Sequence, residues 1–355
     1  MILRFVDFAK TYFVADDGTQ GREVVHFQLV LRLLRERFGR LPIAQVTGLH
    51  IEELQEAMIE RDWSRGYANS QLQKIRRFFR WAVRKELCPV DVLAKVLTVD
   101  GLRSGRTRAR ETDPVEPVSE TALLATLPQL PQTVRDLVKV IRLTGARPSE
   151  IRLLKVCDID RTGETWQARL RRHKNSRRKK AKARVIFFGP KAQSILKEYL
   201  DTASPNDFIF SPRRSRERQY LEMRESRKTK VQPSQRCRRS STPNCQPGEF
   251  YSANALNRCI KRACEIAFSM PAELRRINPE VAGSDQQQLR KRAADWRKAN
   301  CWTPYQLRHS AATEIRKHFG IESAGAVLGH ARLETTEIYA EKNLLKHQEV
   351  MREVG

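Results

Sequence analysis

Several things are missing from this 355-residue chain, and each absence removes a class of function. No run of about 18 apolar residues occurs, so no segment reads as a membrane-spanning helix. No C-x-x-C pair occurs among the seven cysteines Cys88, Cys157, Cys237, Cys245, Cys259, Cys264 and Cys301. Their number is odd and their spacing fits no zinc pattern, which leaves reduced structural thiols. No carboxylate cluster and no P-loop is present, so the sequence offers no motif of either kind for a metal or a nucleotide. The opening MILRFVDFAKTYFVADD carries Asp7 and lacks a sustained apolar core, so it does not read as a secretory signal, and a cytoplasmic protein is expected. No internal repeat is evident.

Acid is also scarce. Asp plus Glu number 41 against 67 Lys plus Arg, a formal net charge of +26. The pI near 10.3 exceeds what solubility asks for and points to a polyanion partner, with nucleic acid as the first candidate.

Residues 1 to about 100 read as helices: Glu23–Phe38 ending at Gly39, Ile51–Arg61, and a third stretch in which Leu72, Ile75, Phe79 and Ala82 recur at helical spacing. Lys74, Arg76, Arg77 and Arg80 between those apolar positions, with Arg84 and Lys85 just past them, are expected to face a phosphate backbone; a merely solvated charged face is the competing reading. Residues 101–117, rich in Gly, Arg and Pro, read as a basic linker, and a second domain is expected over 118–355. There Glu164–Lys174 and Ala183–Gly189 read as two strands, with the cationic stretch HKNSRRKKAKAR at their hairpin tip. Residues 213–239 hold eleven Lys or Arg and few apolar residues, and with the polar stretch to about 248 read as an unpacked basic insertion that adds sequence-independent affinity. Residues 271–299 are polar and charged, with no role assigned. Helices are expected again at Ser252–Phe268, Gln306–His318, Ser323–Leu328 and Thr335–Lys346.

Four short motifs carry chemistry. In Thr144-Gly-Ala-Arg-Pro-Ser-Glu150, an amphipathic helix stops at Gly145 and Pro148 opens the next, which puts Arg147 at a helix start whose N–H groups favour an anion. Thr303-Pro-Tyr-Gln-Leu-Arg-His309 places Arg308 and His309 at another helix opening. Leu328-Gly-His330 reads as a helix stop followed by a histidine, and Tyr339 follows nine residues later.

In order and spacing these motifs resemble the catalytic domain of the tyrosine recombinase (phage integrase) family over roughly residues 118 to 345. Arg147 matches the family's first catalytic arginine and Glu150 its accompanying acid. Lys174 matches the hairpin lysine, with Lys179, Lys180 and Lys182 as other candidates in the same loop. Arg308 matches the second arginine, His330 the later histidine and Tyr339 the nucleophile. Tyr305 stands where the family usually has its first box histidine; a phenol donates a hydrogen bond but shuttles protons poorly at neutral pH. His309 is a supporting residue.

The resemblance implies a mainly α fold: an α+β catalytic domain with a small antiparallel β-sheet, preceded by an all-α, SAM-like core-binding domain. It also implies DNA cutting and rejoining through a 3′-phosphotyrosine, for integration or excision of a mobile element. Double-stranded DNA and a tetramer of the chain itself are the implied partners, at the nucleoid, without a cofactor. The C-terminal tail, with Leu344, Leu345 and Val350, docks onto a neighbouring protomer in the family; folding back on its own domain is the other reading. A type IB topoisomerase-like relaxation of DNA, and a DNA-binding protein of the same fold with impaired catalysis, are the alternatives.

Overall fold

The computed structural model describes residues 1–14, 18, 20–21, 23–170, 184–230, 232, 246–277, 283–330, 333–337 and 352. They form two compact units, Met1–Pro114 and Val115–Gly355. The chain is mainly helical, with one three-stranded antiparallel sheet.

The first unit contains five helices: α1 (Ile2–Tyr12), α2 (Glu23–Phe38), α3 (Gly48–Glu60), α4 (Arg65–Arg84) and α5 (Val90–Thr98). α3 begins a turn earlier than its apolar periodicity indicates, because Thr47 and the His50 ring close a cap, with the Thr47 N–H donating to Nδ1 at 3.1 Å. Ser64 caps α4, and Leu72, Ile75, Phe79 and Ala82 are all buried. Phe5 meets Phe27 and Phe78 edge-on at 5.0 and 5.2 Å, which fastens α1 to α2 and α4.

The basic residues of α4 divide into two groups. Lys74 bonds Ser70 and Glu23, and Arg76 donates to the Val99 carbonyl, so both serve the fold. Arg77, Arg80, Arg84 and Lys85 are exposed, with Arg77 stacked over Phe13 at 4.5 Å and Arg84 over Phe8 at 5.9 Å. Part of the expected linker lies along this unit: Leu102 exchanges hydrogen bonds with Asn69, and Arg65 pairs with Glu111.

In the second unit, α6 (Glu120–Thr126), α7 (Gln132–Thr144) and the one-turn α8 (Pro148–Arg152) precede the sheet. Its strands are β1 (Ile159–Asp160), β2 (Trp166–Leu170) and β3 (Arg184–Phe188), paired in that order. β2 and β3 fall within the two expected strands, in register from Trp166 opposite Phe188 to Leu170 opposite Arg184. β1 was not expected; two residues are too few to show a period.

Then come α9 (Pro190–Leu200), α10 (Pro212–Glu225), α11 (Ala253–Ala267), α12 (Ala272–Arg275), α13 (Gly283–Asn300), α14 (Gln306–Leu328) and α15 (Leu333–Glu337). Leu137 and Ile141 of α7, Ile186 and Phe188 of β3, Leu196 of α9, Ile260 of α11 and Leu307 of α14 share one buried core. α14 unites the two helices expected at its ends, with a break at Gly320, whose φ is +82°.

One expectation is corrected and one unassigned stretch is filled in. The basic stretch after residue 212 is not wholly unpacked: α10 has Pro212 in its first turn, and Arg214 donates to the carbonyls of Phe208 and Ile209, while Arg218 pairs with Glu198. The stretch 271–299 contains α12 and α13, joined by a small core of their own, Met270, Leu274 and Ala293, flanked by Leu289 and Trp296. Most of 231–245 and of the C-terminal tail, including Leu344, Leu345 and Val350, lies outside the described residues.

Buried Tyr199 donates from its hydroxyl to Asp136 Oδ2 at 2.7 Å. Burial, with Asp136 alongside, raises the phenol well above its ordinary range. Tyr199→Phe would leave that buried carboxylate without its strongest donor, so denaturant titration is expected to show a loss of about 1–3 kcal/mol. An unchanged midpoint would mean that the pair contributes nothing.

Among the described residues, no helix is long and apolar enough to cross a membrane, and no group of His, Cys, Asp or Glu could hold a metal. The five described cysteines form no disulfide.

Candidate active site

Three backbone features bring the motif residues together. α7 stops at Gly145, whose φ of +62° places it in the left-handed region; a Cβ there would stand 3.0 Å from Leu328 and 3.3 Å from Ala311. Glycine therefore lets the α7–α8 turn close on α14. α14 in turn ends at Gly329, φ +67°, which redirects the chain into His330. Arg308 lies in the first turn of α14, between the two glycines.

Arg308 is wholly buried (0% exposed). Its Nη1 donates to the Gly145 carbonyl at 2.9 Å, and its Nη2 lies 2.9 Å from the Leu328 carbonyl and 2.8 Å from His330 Nε2. A guanidinium can only donate, so Nε2 is the acceptor and the proton of a neutral ring sits on Nδ1, 3.0 Å from Thr336 Oγ1. Burial, then the charges of Arg308, Arg147 and Arg184, push His330 down to about 4, so it is neutral at working pH. Burial and Arg147 likewise pull Arg308 down to about 10, which leaves it protonated.

Arg147 caps α8, and Glu150 turns back on it: the carboxylate accepts from the Arg147 N–H at 2.9 Å and from Nη1 at 2.8 Å. This corrects one expectation. α8 is a single turn whose first residue, Pro148, has no N–H and whose cap N–H, that of Arg147, is already taken by Glu150, so anion attraction here comes from the guanidinium. Burial pushes the Glu150 carboxyl up, but the Arg147 N–H and the charges of Arg184 and Arg147 outweigh it, and the net position is below the usual range. The ion pair therefore contributes its stability above the unfolded value of about 4.3 and loses it as pH falls through the lower folded value. Glu150→Gln is expected to cost about 3–5 kcal/mol at pH 7, because buried Arg184 and half-buried Arg147 lose their counter-charge, and to flatten the acid limb of the stability profile. Unfolding curves at pH 7 and pH 3 check this; parallel loss in both proteins would contradict it.

Tyr305 precedes α14 at 37% exposure, with its ring centroid 5.9 Å from that of His309, which is buried. Lys174 and Tyr339, with Lys179, Lys180 and Lys182, lie outside the described residues. The structure thus brings together Arg147, Glu150, Arg308 and His330, with Tyr305 and His309 at the start of the same helix.

Sequence reasoning missed Arg184. It stands at the end of the stretch read as a cationic hairpin tip, yet it is only 7% exposed and lies 3.7 Å from Glu150. The signal that could have found it was strand alternation: Arg184, Ile186 and Phe188 share the inward face of β3. Thr336, buried against His330, was also missed. Three guanidiniums against one carboxylate leave a surplus of two positive charges around a largely buried site, an arrangement suited to an oxyanion that gains charge as it reacts.

A scan of protein-family models matches none, and no curated protein matches. Solved structures do. A lambda integrase dimer bound to a COC′ core site is 13% identical, with 96% of this chain and 76% of that one covered at a TM-score of 0.59. The Tn1549 transposon integrase in complex with circular intermediate DNA is 14% identical, covering 99% and 98% at 0.56. The XerH site-specific recombinase bound to difH, in a pre-cleavage complex, is 15% identical, covering 99% and 94% at 0.51. These likenesses show the fold: it is that of the tyrosine recombinases.

Proposed function

We propose that this protein is a site-specific DNA recombinase that cuts and rejoins strands through Tyr339, in the integration or excision of a mobile element. The observation that carries the reading is the meeting of Arg147, Arg308 and His330 around Glu150, on a tyrosine recombinase fold, with Tyr339 nine residues past His330.

In this reading a DNA phosphate oxygen takes the place of His330 Nε2 as acceptor from Arg308, and Arg147 approaches a second oxygen. The Tyr339 oxygen bonds to phosphorus, the P–O5′ bond breaks, and Lys174 protonates the departing oxygen. The 3′-phosphotyrosine keeps the bond energy, so a 5′-hydroxyl from another strand reverses the step. Tyr305 contributes a hydrogen-bond donor. Residues 1–100 form the core-binding domain and 118–355 the catalytic one, and four protomers assemble on two duplexes at the nucleoid.

The test is covalent trapping, without added metal, on a duplex carrying a bridging phosphorothiolate, its site taken from the junctions flanking the gene. An adduct that maps to the peptide containing Tyr339 supports the proposal. Tight binding without an adduct would favour a DNA-binding protein of impaired catalysis, and relaxation of supercoils without strand exchange would favour a topoisomerase.

The exposed side of α4 supplies a second check. Arg80→Ala with Arg84→Ala is expected to make log K against log salt shallower by about 0.9 for each phosphate that the variant no longer neutralises. An unchanged slope would remove α4 from the interface.

A further inference from the structure

The last turn of α14 leaves four carbonyls without partners inside the helix, as every helix end does. Here all four are satisfied. The Gly325 carbonyl accepts from the His330 N–H at 2.9 Å and the Ala326 carbonyl from the Gly329 N–H at 3.1 Å. The Val327 carbonyl accepts from Arg184 Nη1 at 2.9 Å and the Leu328 carbonyl from Arg308 Nη2 at 2.9 Å. Two buried arginines from separate elements thus hold the helix end that delivers His330.

Arg184 does more than cap. Its Nε lies 3.7 Å from Glu150 Oε2, the carboxylate that also binds Arg147. Gly329 packs against it so closely that a Cβ there would stand 2.5 Å from Nη1 and 3.1 Å from Cδ. Its Nε and Nη2 are buried and make no hydrogen bond among the described residues. A guanidinium in that condition is a poor device for stability alone, since an apolar side chain of similar volume would fill the place at lower cost.

We propose that Arg184 is a positioning residue of the recombination site: its forked guanidinium holds the Gly329–His330 turn in register with the Arg147–Glu150 pair. The inference rests on the recombinase reading, so wild type is tested beside the variants.

The experiment measures single-turnover cleavage of the phosphorothiolate duplex, DNA affinity and the pH profile of cleavage for wild type, Arg184→Met and Arg184→Lys. DNA affinity is expected to be unchanged in both variants, since the side chain is buried. Cleavage should fall about 10²-fold in Arg184→Met, the loss expected of a misplaced reacting group. It should fall less in Arg184→Lys, whose single ammonium reaches Glu150 or the Val327 carbonyl but not both. The acid limb should move to higher pH in Arg184→Met. Glu150 would then face only Arg147 and Arg308, and His330, hydrogen-bonded to Thr336, would face only Arg308 and Arg147. A merely structural role would leave that limb in place.

If Arg184→Met does not fold, Arg184→Lys decides, because it keeps the charge. Wild-type cleavage in Arg184→Lys, or an unmoved acid limb in a folded Arg184→Met, overturns the inference while a wild-type adduct keeps the recombinase reading. No adduct with wild type overturns that reading, and this one with it.

Discussion

Tyr339→Phe is expected to bind its DNA site as tightly as wild type and to form no covalent adduct. Only one hydroxyl is removed, so binding loses nothing the phosphate backbone depends on, while removal of the nucleophile itself costs at least about 10⁴-fold in turnover. Seven tyrosines are present, and the other six narrow to one rival. Tyr199 is buried and bonded to Asp136, and Tyr251 is buried beside α11 with its hydroxyl raised by burial. Tyr12 and Tyr67 belong to the first unit, and Tyr220 stands on α10 with its hydroxyl 3.0 Å from Arg216. Tyr305 alone adjoins the arginine cluster and is exposed. Tyr305→Phe is therefore the control that matters. An adduct that persists in Tyr305→Phe and disappears in Tyr339→Phe assigns the nucleophile; the reverse pattern would transfer the role to Tyr305.

Arg308→Lys is expected to lower cleavage by about 10³-fold, the upper range for loss of one preorganised donor to a reacting oxyanion. Charge is conserved, so the effect isolates geometry. A lysine ammonium is a point donor on a flexible stem, while the guanidinium reaches Gly145, Leu328 and His330 from one rigid plane. With lysine, one buried carbonyl loses its partner, and stability should fall by about 1–3 kcal/mol as well. The two effects separate in the measurements: denaturant midpoints report the carbonyl, and single-turnover cleavage of protein still folded reports the phosphate contact. A folded Arg308→Lys variant cleaving at the wild-type rate would remove Arg308 from catalysis.

Some of this architecture was legible in the sequence for plain reasons. Leu72, Ile75, Phe79 and Ala82 repeat at 3.6 residues, and the helix they predict is there. Gly145 and Gly329 stop their helices as glycines do at left-handed positions. What remained hidden was hidden by composition. Arg184 closes a run of basic residues, and charge alone does not say which member of a run turns inward; the pleat of β3 does. α10 looked unpacked because it buries none of its own residues and is held by arginines bonded to carbonyls and carboxylates, an anchorage without apolar periodicity. α13 was obscured by its charge, although Leu289, Ala293 and Trp296 recur at helical spacing within it.

The small core under α12 and α13 has a kinetic consequence. Met270, Leu274 and Ala293 are its only fully buried apolar members among the described residues, and they form a cluster apart from the main core. So few buried contacts make a separate cooperative unit whose opening free energy lies below that of the global fold. Amide protons of α13 should therefore exchange well before those of α7, and among the described helices of the second unit the first to be cut by a protease should be in this satellite while the arginine cluster remains closed.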